Sequence, residues 1–198
     1  MRRARALQVI AIAGSLRAAS INAAFCRAAA RLAPTDLHVE VCSEIGALPL
    51  FNPDLEAAPP AVVERFRNTI GAADALLMAS PEYAHGISGV LKNALDWLVS
   101  YEGVVDKPIA LVNTSPRAHH ALDALQEVLR TMSTRLLPDA SASLPLLGQC
   151  ITEDAMMADP QVRGAIIALL ATLERNLRDV DVNGPSFSLR WIGAERGL

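Results

Sequence analysis

The feature that most constrains this chain is an alternation: short apolar runs, each followed by a stretch whose apolar residues recur at helical spacing. Leu7–Ala13, "LQVIAIA", is nearly continuous in apolar residues, as a strand buried on both faces should be. Ile21, Phe25, Ala28, Ala29 and Leu32 then share one helical face, and Pro34 stops that helix. His38–Cys42 reads as a second strand, and Val62, Val63, Phe66 and Ile70 mark a second helix. Asp74–Ser80 is the third strand, and a helix from about Ile87 to Val99 follows it. Pro108–Thr114 is the fourth strand, and Ala118, Ala121, Leu122, Leu125, Val128, Leu129 and Met132 stripe the fourth helix. A weaker fifth strand falls within Arg135–Leu144, and a last helix within about Pro160–Asp179. The tail from Asp181 has no helical period and is expected to be irregular.

A β-α series of this kind predicts one α/β domain, residues 1–180, followed by a tail, 181–198. The expected architecture is a three-layer sandwich: a parallel sheet with helices on both faces. Five strands favour the flavodoxin-like order 2-1-3-4-5 over a six-stranded dinucleotide fold. The chain has 198 residues, 52% hydrophobic and 20% charged, enough to bury a sizeable core. A net charge of -3 and 4% aromatic residues argue against nucleic acid as a partner.

No apolar stretch is long enough to span a membrane. The start, "MRRARALQVIAIAG", is like a crude signal peptide, but its apolar run is short, Gln8 interrupts it, and cleavage would delete the first strand. A cytoplasmic location is expected. Cys26, Cys42 and Cys150 are odd in number and far apart, so they read as buried small hydrophobes in a reducing compartment. His119 and His120 are adjacent on a helix and are expected to point apart, which argues against a metal site.

In such sheets, ligands bind beyond the carboxyl ends of the strands, where the strand order reverses. Here that is the end of the first strand and of the third. "GSLRAAS" follows the first, with Ser15 and Ser20 as hydroxyl donors, Asn22 as an amide donor and Arg17 as a fork-shaped cation. Helix-start N–H groups add partial positive charge, and the set suits a phosphate dianion. Neither the Gly-x-Gly-x-x-Gly fingerprint nor a Walker loop is present. A plainer reading stands beside this one: Ser20 as an N-cap, Gly14 easing a turn, Arg17 solvated.

The third strand leads into "SPEYAHGISGVLKNALDWL". Pro81 extends Ser80, and Glu82, Tyr83 and His85 sit in a loop at the crevice mouth. Gly86 and Gly89 permit close backbone approach, so a flat polar ring would find backbone hydrogen bonds here and Tyr83 as an apolar wall. The alternative is ordinary loop residues. Lys92 and Asp96 read as a solvated i, i+4 pair. Trp97 and Tyr101 either face a partner or, for Trp97, pack in the core. The loop Glu44–Pro60, with four prolines, is long enough to suggest a function.

Together, "GSLRAASIN" and "PEYAHGISGVLKNALDW", in this order within a β-α series, resemble the NADPH-dependent FMN reductase family, which includes quinone, azo-dye and chromate reductases. The resemblance runs from about Leu7 to Arg178. It implies non-covalent FMN, with Ser15, Arg17, Ser20, Ile21 and Asn22 around the phosphate and Pro81, Glu82, Tyr83 and Ala84 along the isoalloxazine ring. Ala84 stands where the family usually carries Asn. A third flavin loop, often S-P-G-G, here reads "NTSPRAHHA": Ser115 and Pro116 remain, while Arg117 and Ala118 replace glycines. The implied reaction has two halves, with NADPH or NADH reducing the flavin and a small-molecule electron acceptor then oxidising it. The cofactor carries that chemistry, so no catalytic side chain is expected. The family also implies a homodimer or homotetramer. Two other readings stay open: an electron carrier or flavin-binding regulator without NADPH turnover, and a phosphoanion-binding module without flavin.

Overall fold

The computed structural model describes residues 5–115, 119–144, 146 and 150–182. Its strands are β1 (Leu7–Ala13), β2 (Leu37–Val41), β3 (Ala75–Ala79), β4 (Glu82–Tyr83), β5 (Gly86–Ile87), β6 (Pro108–Asn113), β7 (Arg135–Leu136) and β8 (Ala142–Ser143). Its helices are α1 (Ile21–Leu32), α2 (Ala61–Ala72), α3 (Gly89–Asp96), α4 (His119–Thr131), α5 (Glu153–Ala158) and α6 (Pro160–Val182). The main sheet runs β2-β1-β3-β6-β7, with β8 also paired to β6, and every pairing in it is parallel. This is the expected 2-1-3-4-5 order, with β6 in the fourth place.

Strand alternation sends the two faces of the sheet into two cores. Val9, Ala11, Ala13, Leu77, Ala79, Ala110 and Val112 face Phe25, Ala28, Ala29, Ile166, Leu170 and Leu173. Ile10, Ile12, Leu76, Met78, Ile109 and Leu111 face Phe66, Ile70, Leu91, Trp97, Leu125 and Leu129. The first face is rich in alanine on both sides. Small side chains let α1 approach the sheet closely, which sets its N-terminus against the carboxyl ends of the strands.

Four elements differ from the sequence-based expectation. The fifth strand is split: Pro138, which has no N–H to donate, opens a 3-10 turn (Pro138–Ala140) between β7 and β8. A side chain fills the gap in the ladder, since Ser141 Oγ accepts from Leu111 N–H at 2.9 Å and donates to Leu137 C=O at 2.8 Å. The third helix is shorter than predicted. Ser88 caps it through its Oγ, and Ile87 pairs with Glu82 in the small β4–β5 hairpin instead. Helix α5 has no counterpart in the sequence reading; Arg27 and Arg31 on α1 bind its Glu153 at 2.9 and 3.0 Å. The last helix continues to Val182, beyond the predicted Asp179, and the rest of the tail lies outside the described residues.

Trp97 is wholly buried, so it packs in the core rather than facing a partner. Its Nε1–H donates to Pro49 C=O at 2.8 Å, and Asn93 binds both Pro49 C=O and Phe51 N–H, which fastens the long proline-containing loop to α3. Cys26 and Cys42 are buried, and desolvation pushes both thiols up to about 12. Cys150 departs from expectation: it is half-buried beside Asp159. No helix among the described residues is long and apolar enough to cross a membrane.

Ser141→Ala leaves the buried Leu111 N–H without an acceptor. The expected loss is about 1–3 kcal/mol, the cost of an unsatisfied buried donor, read as a lower urea midpoint with an unchanged slope.

Candidate functional site

The site begins where β1 and β3 end. Gly14 N–H donates to Ala79 C=O at 2.8 Å, and a Cβ added to Gly14 would lie 2.5 Å from Ser80 Oγ. Glycine lets the two strand ends lie this close without moving the Ser80 side chain, so the segments after them start side by side.

After Gly14 the chain forms an open loop that enters α1. Ser20 caps α1, its Oγ accepting from Ala23 N–H at 3.2 Å, so the plain N-cap reading of Ser20 holds. The hydroxyl hydrogen of Ser20 remains available to a second acceptor. Ser15 Oγ accepts from Arg17 N–H at 3.3 Å. The N–H groups of Leu16, Ala18, Ala19, Ile21 and Asn22 find no acceptor among the described residues. Arg17 is exposed.

Asn22 is buried, and its orientation is set from another strand. Thr114 Oγ1, just past β6, donates to Asn22 Oδ1 at 2.7 Å. That bond turns the Nδ2 donor away from Thr114. Nδ2 has no partner among the described residues, and no wholly enclosed side-chain N or O there lacks one. Nδ2 therefore keeps some contact with solvent and can donate to a ligand. Free N–H groups, an amide donor, a hydroxyl donor and an exposed guanidinium all offer hydrogen to an anion. The donor set fits a phosphate ester and does not fit a cation.

The second segment is the β4–β5 hairpin. Its two-residue turn, Ala84-His85, has φ 49° and 58°, the left-handed pair of a type I′ turn that normally takes Asn-Gly. Pro81 and Glu82 are half-buried; Tyr83, Ala84 and His85 are exposed at its tip. Glu82 Oε2 accepts from Ala121 N–H at 2.9 Å, in the first turn of α4. That bond, helped by the nearby His120, His85 and His119 and opposed by partial desolvation, holds the Glu82 carboxyl below its usual value. Glu82 thus binds the hairpin to α4.

The structure gathers Ser15, Ser20, Ile21 and Asn22 at one crossover and Pro81, Glu82, Tyr83 and Ala84 at the next. Ser115 is half-buried beyond β6, its N–H bound to Asn113 Oδ1 at 3.0 Å. Arg117 lies outside the described residues, as do Pro116 and Ala118. Thr114 was missed by sequence reasoning; its signal is a hydroxyl directly after a buried strand. The His119 and His120 rings do not point apart as expected: their centroids are 4.5 Å apart. Lys92 and Asp96 form their ion pair on α3.

Comparison with known proteins gives the family and the fold. Residues 7–145 match the family model described as NADPH-dependent FMN reductase. A Pseudomonas aeruginosa protein named NAD(P)H-dependent FMN reductase is 50% identical over 93 residues, 46% of this chain and 49% of that one. A quinone reductase of Pseudomonas putida is 43% identical over 117 residues, 56% of this chain and 61% of that one. The matches thus span about half to three-fifths of these relatives' lengths. Among solved structures, FerB, a flavoenzyme NAD(P)H:(acceptor) oxidoreductase from Paracoccus denitrificans, is similar with a TM-score of 0.68 and 28% identity, over 85% of this chain and 98% of that one.

Two outcomes follow from the hairpin. Ala84→Asn is expected to raise stability by about 1 kcal/mol in denaturant titration, because Asn tolerates the left-handed backbone that Ala resists. Glu82 has a folded pKa below its unfolded value near 4.5. Its contribution is complete above that value and is lost as pH falls through the folded pKa. Melting temperature should therefore fall less steeply on acidification in Glu82→Gln than in the native chain.

Proposed function

Because the chain belongs to the NADPH-dependent FMN reductase family, we propose that it is an FMN-dependent NAD(P)H oxidoreductase that reduces a small acceptor of the quinone type. The observation that carries this reading is the anion cradle after β1: five N–H groups unpaired among the described residues and an Asn22 amide oriented by Thr114, set beside a hairpin with an exposed aromatic tip. The names of the relatives, quinone reductase and NADPH:quinone oxidoreductase, support the choice of acceptor.

In this reading the cradle residues Ser15, Arg17, Ser20, Ile21 and Asn22 hold the FMN phosphate, and Pro81, Glu82, Tyr83 and Ala84 line the flat ring. Ser115 and Arg117 are assigned to the same cofactor on the strength of the family resemblance alone. Bound FMN would supply the redox chemistry, hydride transfer between nicotinamide and acceptor. The chain contributes position. Gly14 fixes the spacing of cradle and hairpin, and Glu82 anchors the hairpin to α4 so that the wall beside the ring does not drift. Exposed Tyr83 and Leu16 give the mouth an apolar lining that a nicotinamide and then a quinone can cover in turn. No side chain of the cradle needs to exchange a proton.

We further take the protein as a single cytoplasmic domain, residues 1–180 with a tail, working as a homodimer or homotetramer. With Trp97 in the core, exposed Val99 and Val105 after α3 are the apolar residues there left for a partner.

The test uses the purified protein with added FMN under anaerobic conditions. NADPH should bleach the bound flavin, and a benzoquinone should restore its colour. Bleaching without recovery would favour a flavin regulator, and failure to take up FMN would end the flavin reading. Arg17→Ala should weaken FMN by roughly 10–100-fold, the worth of one charge-assisted hydrogen bond, while affinity for riboflavin, which lacks the phosphate, stays put. Equal losses for both would place the phosphate elsewhere.

A further inference from the structure

Three imidazoles gather at the crevice mouth, and the flavin reading has no use for them. His85 occupies the tip of the β4–β5 hairpin, and its ring stacks on that of His120 with centroids 4.3 Å apart and planes 28° apart. The His120 ring is in turn 4.5 Å from that of His119. All three side chains are exposed. The charged groups around them are Glu82 on β4, committed to Ala121 N–H, and Asp123, one turn along α4 from His119.

Backbone preferences do not favour this placement. His85 sits at φ 58°, where Asn or Gly would rest without strain. His119 and His120 open α4, the helix end at which positive charge is disfavoured. Local rules broken together in this way are expected at functional positions. Imidazole gains its positive charge between about pH 5 and pH 8. Three rings this close present their N–H donors as one patch, beside which Glu82 sets a single negative charge. An anion rich in oxygen atoms would accept hydrogen bonds from these donors.

We propose that His85, His119 and His120 form a receptor for a phosphate monoester, the 2′-phosphate that distinguishes NADPH from NADH, and thereby set the nucleotide preference. This inference rests on the NAD(P)H oxidoreductase reading above. The pH dependence has a diagnostic sign. A phosphate monoester completes its second ionisation above about pH 6, so a receptor built on arginine would hold it better as pH rises. A receptor built on imidazole loses its own charge and lets go.

The experiment uses the FMN-loaded protein and two redox-inactive probes, 2′,5′-ADP and 5′-AMP, titrated by calorimetry at about pH 6.5 and about pH 8.5. The ratio of their affinities should favour 2′,5′-ADP at the lower pH and fall about ten-fold at the higher. In the double variant His85→Asn, His120→Gln the preference should be small at both. Asn suits the left-handed turn and Gln suits the helix, so this variant is expected to fold. The ratio of kcat/KM for NADPH over NADH should follow the same pattern. A probe ratio that does not fall with pH, or that survives in the double variant, overturns the receptor. Failure of both nucleotides to bleach the flavin would count against the oxidoreductase reading instead, and the calorimetry would still decide whether the histidines bind a 2′-phosphate.

Discussion

Everything at the crevice depends on how closely β1 and β3 meet at their carboxyl ends. The hydrogen bond from Gly14 to Ala79 and the lack of room for a Cβ against Ser80 bring two loops of different chemistry to one point. One loop offers unpaired N–H groups; the other offers an aromatic side chain on a short hairpin. Neither makes a site alone. A methyl group at position 14 would push the Ser80 hydroxyl aside and crowd the Ser80 backbone at 3.2 Å, loosening the meeting of donors and wall. The alanine-rich face between sheet and α1 works in the same direction, since it lets the helix start sit low against the strand ends.

Much of the fold was legible because its signals are strong and local. The apolar run of β1 and the stripe of α1 leave little choice of element, and the β-α series leaves little choice of topology. What the sequence obscured were places where a side chain does the work of backbone. Ser141 stands in for a strand residue, so the fifth strand reads as one weak segment when it is two short ones around a proline. Ile87 fits the α3 stripe by spacing, but the Ser88 N-cap starts the helix only after it.

The candidate site was legible in the same uneven way. Ser20 and Asn22 stand out as polar residues at a predicted helix start. Thr114 does not, because its role is to orient Asn22 from 92 residues away, and no local pattern carries that information. The histidines were misjudged for a related reason. Adjacent helical positions do diverge by about 100°, yet in the first turn of α4 the rings are free to swing toward the hairpin, and His85 draws His120 into a stack. The partnership is tertiary, made by a strained turn whose strain is invisible in the residues Ala84 and His85 themselves.

The split strand at the sheet margin has a consequence of its own. A long, flat, unpaired margin strand invites another chain to add itself and begin a fibril. Here that margin consists of two two-residue segments separated by a proline-led turn, and between them a hydroxyl occupies the acceptor position that a visiting backbone would need. A backbone seeking to pair along that side meets only short, interrupted runs of partners.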